Sequence, residues 1–304
     1  MSRKHFSLSR QKISNAAIFA AIALGIIFPM PPEIKKYLPF ILALLLLSSF
    51  LKINMSARMF LRPQLLAWPV VALGIAPAAI FFLTQGFNAD LRLGLMIAAV
   101  TPTAIASPVV SDMIGGDREL SIAQVLVSNI LSPGAYALIL YLYFSAGSIN
   151  IPVIPLLRDI GLLIALPFIV SRIINRSSRI RSASLKVFRH FNPVAFVAII
   201  FIAVSASSAQ LRTIPVRELA VLLASSAALA VFYFGCGALL PGSSAVKKSL
   251  AVGLGHKNNS LAIWVALSNF NAAVVLPMVA YLIFHHVING ILIHRFTASN
   301  EQSV

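Results

Sequence analysis

Long apolar stretches, separated by short basic or proline-rich gaps, run the length of the chain. A helix rises about 1.5 Å per residue, so crossing the hydrocarbon core takes about 20 apolar residues and seldom fewer than about 17. Ten stretches fit: 13–30, 37–53, 64–83, 94–114, 120–144, 157–175, 192–208, 218–240, 249–269 and 272–293. The fourth and ninth are interrupted. Residues 101–116 read TPTAIASPVVSDMIGG and residues 252–268 read VGLGHKNNSLAIWVALS, placing small, polar and helix-breaking residues at membrane depth. The pattern predicts an all-α membrane protein of ten transmembrane helices, two of them discontinuous.

Five spans precede residue 147 and five follow it, so the second half must cross in the opposite sense to the first. This predicts two inverted repeats, 1–147 and 148–304, within one integral membrane domain. Interrupted helices at corresponding places in inverted halves are where secondary transporters build their binding sites. Lys257 lies nine residues beyond Lys248, which is about 14 Å along a helix, close to half a hydrocarbon core of about 30 Å. A charge at that depth costs between about 2.5 and about 17 kcal/mol. Lys257, flanked by His256, Asn258, Asn259 and Ser260, therefore predicts a polar cavity, with Gly253 and Gly255 loosening the helix before it. Pro108 removes a hydrogen bond near the middle of the fourth span, and the freed carbonyls need partners. For each proline taken singly, a simple kink is the alternative reading.

Composition and charge support the membrane reading. The 304 residues are 59% hydrophobic and only 11% charged, too little charge for the surface of a soluble domain. The net charge of +16 does not indicate nucleic acid, because the basic residues sit in the gaps between spans. With the N-terminus in the cytoplasm, seventeen of them fall inside (for example Lys52, Arg58, Arg62, Arg118, Arg172, Lys247 and Arg295). Six fall outside: Lys35, Lys36, Arg92, Arg158, Arg212 and Arg217. The bias places both termini in the cytoplasm, and the expected location is the bacterial inner membrane. Arg3, Lys4, Arg10 and Lys12 before NAAIFAAIALGIIF imitate a signal peptide, but no small-residue cleavage site precedes MPPEIKKY, so a retained first span is expected. The basic stretch 171–190 reads as a solvated cytosolic loop attracted to anionic lipid. A single cysteine, Cys236, excludes intrachain disulfides and thiolate clusters, and no cofactor or metal site is expected.

At the two interruptions the chain resembles the bile acid:sodium symporter family. The residues concerned are ASPVVSDMIGGDRELS (106–121) with Leu131-Ser132-Pro133, and GHKNNSLA (255–262) with FHHVING (284–290). The resemblance implies ten helices in an inverted five-plus-five repeat, with two discontinuous helices crossing at mid-membrane. Their flanks would hold sodium and an organic anion. The departures fall where cations would bind. The family's Ser-Asn pair reads Ser107-Pro108 here; Ser121 is kept, but the hydroxyl one turn later is Val125. The family's Glu-x-Gly-x-Gln-Asn-Ser reads Gly253-Leu254-Gly255-His256-Lys257-Asn258-Asn259, replacing the carboxylate by hydrogen and the Gln by an amine.

The expected function is secondary transport of a small organic anion by alternating access, sodium-independent or proton-linked, with Lys257 in the place of the sodium. Alternatives are a sodium-coupled organic-anion symporter or an efflux carrier of the related arsenite or auxin type. Asn258, Asn259, Ser107 and Lys257 are the expected substrate residues. Lys257, Ser121, Ser107, His256 and His286 are the expected ion or coupling residues, and Pro108, Gly253 and Gly255 the helix breaks. Lys257 is expected to donate to freed carbonyls and to Ser107 or Asn258. His256, His285 and His286 read either as a metal or proton site or as packing. An intramembrane enzyme is disfavoured: there is no HExxH, no pair of intramembrane aspartates and no Ser-His arrangement at a recognisable spacing. A passive channel would favour continuous pore-lining faces over two isolated broken helices.

Overall fold

The computed structural model describes residues 17, 19–53, 56–145 and 149–301. The basic residues Arg3, Lys4, Arg10 and Lys12, the start of the first span and the boundary at 147/148 lie outside them. The described chain is almost wholly helical. Its helices are α1 (19–27), α2 (Leu38–Phe50), α3 (Pro63–Leu83), α4 (Ala89–Val100), α5 (Ser107–Met113), α6 (Arg118–Phe144) and α7 (Val153–Ile174). They continue as α8 (Ser178–Ala206), the short α9 (Ser208–Thr213), α10 (Val216–Leu239), α11 (Ser244–Gly255), α12 (Asn259–Asn269) and α13 (Leu276–Glu301). Six are long and apolar enough to cross a membrane: α3, α6, α7, α8, α10 and the segment Ala272–Phe296 that includes most of α13.

Both interruptions are real breaks. The fourth span becomes α4 and α5 with an unwound segment between Val100 and Ser107, and the ninth becomes α11 and α12 with a break at 256–258. Pro108 sits in the first turn of α5, where its missing N–H has no helical partner to lose. The break itself lies upstream, so Pro108 starts the second half-helix and does not kink a continuous one.

Proline acts differently in α3. Pro69 and Pro77 flank a π-helical stretch, Val70–Ile75, the adjustment a helix makes when regular amide donors are missing. In α6, Pro133 leaves the Asn129 carbonyl without its usual amide, and Ser132 Oγ donates to it at 2.8 Å.

The basic stretch 171–190 is not a loop. Helix α7 continues to Ile174 and α8 begins at Ser178, because no Gly or Pro occurs from 178 until Pro193. Hydropathy cannot see a polar helix. Two of its arginines serve the end of α2: Arg172 Nη2 donates to Phe50 O at 2.5 Å and Arg181 Nε to Leu51 O at 3.1 Å. They satisfy the exposed carbonyls and the negative end of that helix.

Helices α2, α7 and α8 pack together, and α4, α6, α10, α11 and α13 enclose the two breaks. Close approach depends on small residues. A Cβ on Gly237 would run into the backbone of Leu250, where α10 meets α11. Gly253 abuts the Gln124 side chain and Gly255 the Phe234 ring. Neither has a positive φ; both are helical positions of α11 held in close contact, and the helix ends at Gly255.

At one end of the bundle, Arg62 pairs with Asp117 at 2.6 Å, and Asp117 caps α6 by accepting from Leu120 N at 3.0 Å. The Arg62 hydrogen bond, assisted by the backbone amide of Leu120, holds the Asp117 carboxyl below its usual range. A depressed folded value means that the unfolded chain binds more protons, so this contribution is present above about pH 4, the ordinary carboxylate value, and fades as the pH falls through the folded value.

Two outcomes follow in detergent. Gly237→Val should lower stability by roughly 1–3 kcal/mol through overpacking, read as an earlier thermal transition, whereas Gly235→Ala, whose added methyl meets nothing within 4 Å, should not. Acid titration of the thermal transition should show a loss below about pH 4 that is smaller in Asp117→Asn.

Candidate functional site

The last four carbonyls of an α-helix have no intrahelical amide, and inside a bilayer water does not replace it. Half-helices α4 and α11 both end in the buried interior of the bundle, so their last carbonyls need donors from elsewhere. Each obtains them from the other interrupted strand of chain and from one tyrosine.

At the end of α4, Lys257 Nζ donates to Ala99 O at 3.0 Å and to Thr101 O at 3.1 Å. Tyr233 OH donates to Ala99 O at 2.6 Å. The same Nζ lies 3.7 Å from the centroid of the Tyr233 ring, an arrangement that favours a cation over the negative face of the ring. Lys257 is 1% exposed. At the end of α11, Thr103 Oγ1 donates to Gly253 O at 2.6 Å, and Tyr281 OH to Gly255 O at 2.7 Å.

The unwound segments also pair directly. Ala104 N donates to His256 O at 2.7 Å and Asn258 N to Pro102 O at 2.8 Å, forming an antiparallel bridge at Thr103 and Lys257. The first break is tied to α6 as well: Thr103 N donates to Ser128 Oγ at 3.1 Å and Asn129 Nδ2 to Thr103 O at 3.1 Å.

Lysine 257 was expected to reach Ser107 or Asn258; it reaches neither. Ser107 Oγ donates to His256 O at 3.4 Å, and Asn258 caps α12 by accepting from Leu261 N at 3.4 Å. The reason is electrostatic: the two carbonyls at the negative end of α4 attract an amine better than a hydroxyl or an amide that is already engaged.

Beside the crossing lies a second polar group. His256, His285 and His286 stack edge to face, with centroids 4.8 Å (256–285), 4.4 Å (285–286) and 6.1 Å (256–286) apart. Asn259 Nδ2 lies 3.1 Å from His285 Nδ1. His256 Nδ1, His285 Nε2, His286 Nε2, Asn259 Oδ1 and both amide atoms of Asn289 are buried without a protein partner. Among the described residues no three His, Cys, Asp or Glu side chains are grouped to hold a metal ion.

A third group sits on α6. Ser121 Oγ and both amide atoms of Gln124 are buried and unpartnered, and Gln124 packs against Gly253. Among the described residues, Lys257 is the only buried side chain of the Lys, Arg, Asp and Glu types.

Of the anticipated residues, Lys257, Asn258, Asn259, His256 and Ser107 lie at the breaks, His286 on α13 stacks against His256, and Ser121 lies on α6 one turn before Gln124. Sequence reasoning missed Thr103, Gln124, Tyr233 and Tyr281. The tyrosines carried a usable signal, since a phenol within an apolar span must find a partner for its hydroxyl.

Two broken helices that cross inside a helical bundle, with six helices long and apolar enough to span a membrane, are the architecture of a membrane transporter. The chain belongs to the Sodium Bile acid symporter family, whose profile it matches over residues 39–215, more than half of its length. The match includes the first break and ends before the second. A curated relative, the uncharacterized sodium-dependent transporter YocS of Bacillus subtilis, is 23% identical over 223 residues, covering 72% of this chain and 68% of that protein.

The tyrosines separate by their alternatives. Tyr281→Phe leaves Gly255 O without its donor and should cost about 1–3 kcal/mol. Tyr233→Phe leaves Ala99 O still bonded to Lys257 and should cost less. Parallel thermal unfolding of the two variants in detergent measures the difference.

Proposed function

We propose that the protein transports a small organic anion by alternating access at this crossing, with Lys257 as a resident cation in place of a coupling sodium. The supporting observation is that Lys257 Nζ occupies the carbonyls of Ala99 and Thr101 with no buried carboxylate among the described residues. Sodium needs several oxygen ligands, and here two are engaged by an amine. A second unit charge about 4 Å from an ammonium would meet a repulsion of about 4 kcal/mol at an effective dielectric of about 20, close to a thousandfold in affinity.

In this reading Asn258, Asn259, Ser107 and Lys257 line the substrate position, with the positive N-terminal end of α12 facing the anion. Ser121, Ser107, His256 and His286 are the groups that link the site to an ion, a proton being the candidate. The halves 1–147 and 148–304 are inverted repeats that rock around the crossing, both termini lie in the cytoplasm, and the membrane is the bacterial inner membrane.

Sodium coupling is the second reading, because Ser121 Oγ and Gln124 Oε1 are buried oxygens without partners. Reconstituted protein separates the two. Saturable counterflow of labelled bile acid, 2-oxo acid or 2-hydroxy acid establishes a carrier. Uptake under an inward sodium gradient should equal uptake in potassium.

The double variant Gly253→Glu with Lys257→Gln restores the family pattern. A side chain at 253 must displace the end of the Gln124 side chain, which lies against Gly253, and the double variant should acquire roughly tenfold sodium stimulation, equivalent to about 1.4 kcal/mol. Strong sodium dependence of the unaltered protein defeats the proposal.

A further inference from the structure

The amine of Lys257 is enclosed by acceptors alone. Ala99 O lies at 3.0 Å, Thr101 O at 3.1 Å and the centroid of the Tyr233 ring at 3.7 Å. An ammonium has three donors and no acceptor, so this environment matches the charged form. A neutral amine would turn its lone pair toward a carbonyl oxygen or the negative face of the ring. None of the three groups takes up a proton near neutral pH, so none relieves the lysine of its charge.

No carboxylate balances that charge. The chain has eight acidic side chains, and among the described residues none is buried. The three partly buried ones are engaged elsewhere: Asp90 accepts from Asn271 Nδ2 at 2.7 Å, Asp117 pairs with Arg62 at 2.6 Å and Asp159 with Arg158 at 2.7 Å. The other titratable groups around the breaks are His256, His285, His286, Tyr136, Tyr233 and Tyr281, and none is an anion near neutral pH. Two backbone hydrogen bonds join the breaks, Ala104 N to His256 O and Asn258 N to Pro102 O, so the amine and its carbonyls move as one unit. In an alternating-access cycle the unit is neutral with a monovalent anion bound and carries one uncompensated positive charge once the anion has left. Carrying that charge through a low-dielectric interior is unfavourable; the neutral loaded unit avoids the penalty.

We propose that the protein is an anion exchanger: a monovalent anion moves one way in return for a second monovalent anion moving the other, because the empty site returns slowly. This exchange mode rests on the reading of Lys257 as the resident cation of a carrier, and it adds the counter-substrate and the valence. A singly charged acid cancels the lysine. A neutral solute leaves the positive charge in place and a dianion reverses it, so both cross more slowly than a monoanion of similar size.

The full chain in liposomes loaded with tritiated taurocholate or labelled 2-oxoisovalerate tests this. Efflux into medium containing the same unlabelled anion should be at least about tenfold faster than efflux into medium without it. A potassium diffusion potential set with valinomycin should leave the exchange rate unchanged, whereas an inside-negative potential should speed net efflux by drawing the positive empty site inward. Lys257→Gln removes the charge and should bring net efflux and exchange to the same rate; Tyr233→Phe, which keeps the ring and the amine, should preserve the difference. If Lys257→Gln does not fold, the voltage comparison on the unaltered protein carries the conclusion. Net efflux as fast as exchange, or an exchange rate that follows the potential, overturns the exchange mode and leaves a carrier in place. Absence of exchange with both anions defeats the transport reading and this inference with it.

Discussion

Two helices that stop inside the buried core of the bundle leave carbonyls where water is scarce, and the rest of the structure is organised around meeting that requirement. Lys257 and Tyr233 satisfy the end of α4; Thr103 and Tyr281 satisfy the end of α11. The breaks then pair by two backbone hydrogen bonds. Each interruption supplies the cap of the other, so neither half-helix could end where it does without its partner. This mutual dependence positions the lysine more firmly than packing alone, because its amine is held by two carbonyls and an aromatic face.

The same arrangement leaves some groups unsatisfied. The histidine cluster with Asn259 and Asn289, and the Ser121–Gln124 face of α6, present buried polar atoms without protein partners. Fully paired networks stiffen a core, whereas unpaired ones retain capacity for an exchangeable ligand, water or proton. Paired caps at the crossing beside unpaired groups around it suit a site whose frame is fixed and whose contents change.

Much of the fold was legible in the pattern of apolar residues, because spanning length and hydropathy are properties of single segments. The two breaks were legible for the same reason: TPTAIASP and GLGHKNN carry polar and ring-constrained residues where a continuous helix would be apolar. The polar first turns of α8 were not legible, since a helix outside the lipid carries no hydropathy signal. Glycines 253 and 255 were legible as unusual, but their role is contact with Gln124 and Phe234, which depends on partners remote in sequence.

The sequence alone determined that a lysine's amine interrupts the apolar run 249–269, with a glycine and no carboxylate at position 253. Only the tertiary structure decided what that amine does. Its acceptors, Ala99 and Thr101, lie more than 150 residues away, and they are backbone carbonyls, which every residue possesses and no side-chain motif reveals. Which carbonyls are free depends on where another helix ends, and that is settled only when the two broken segments meet.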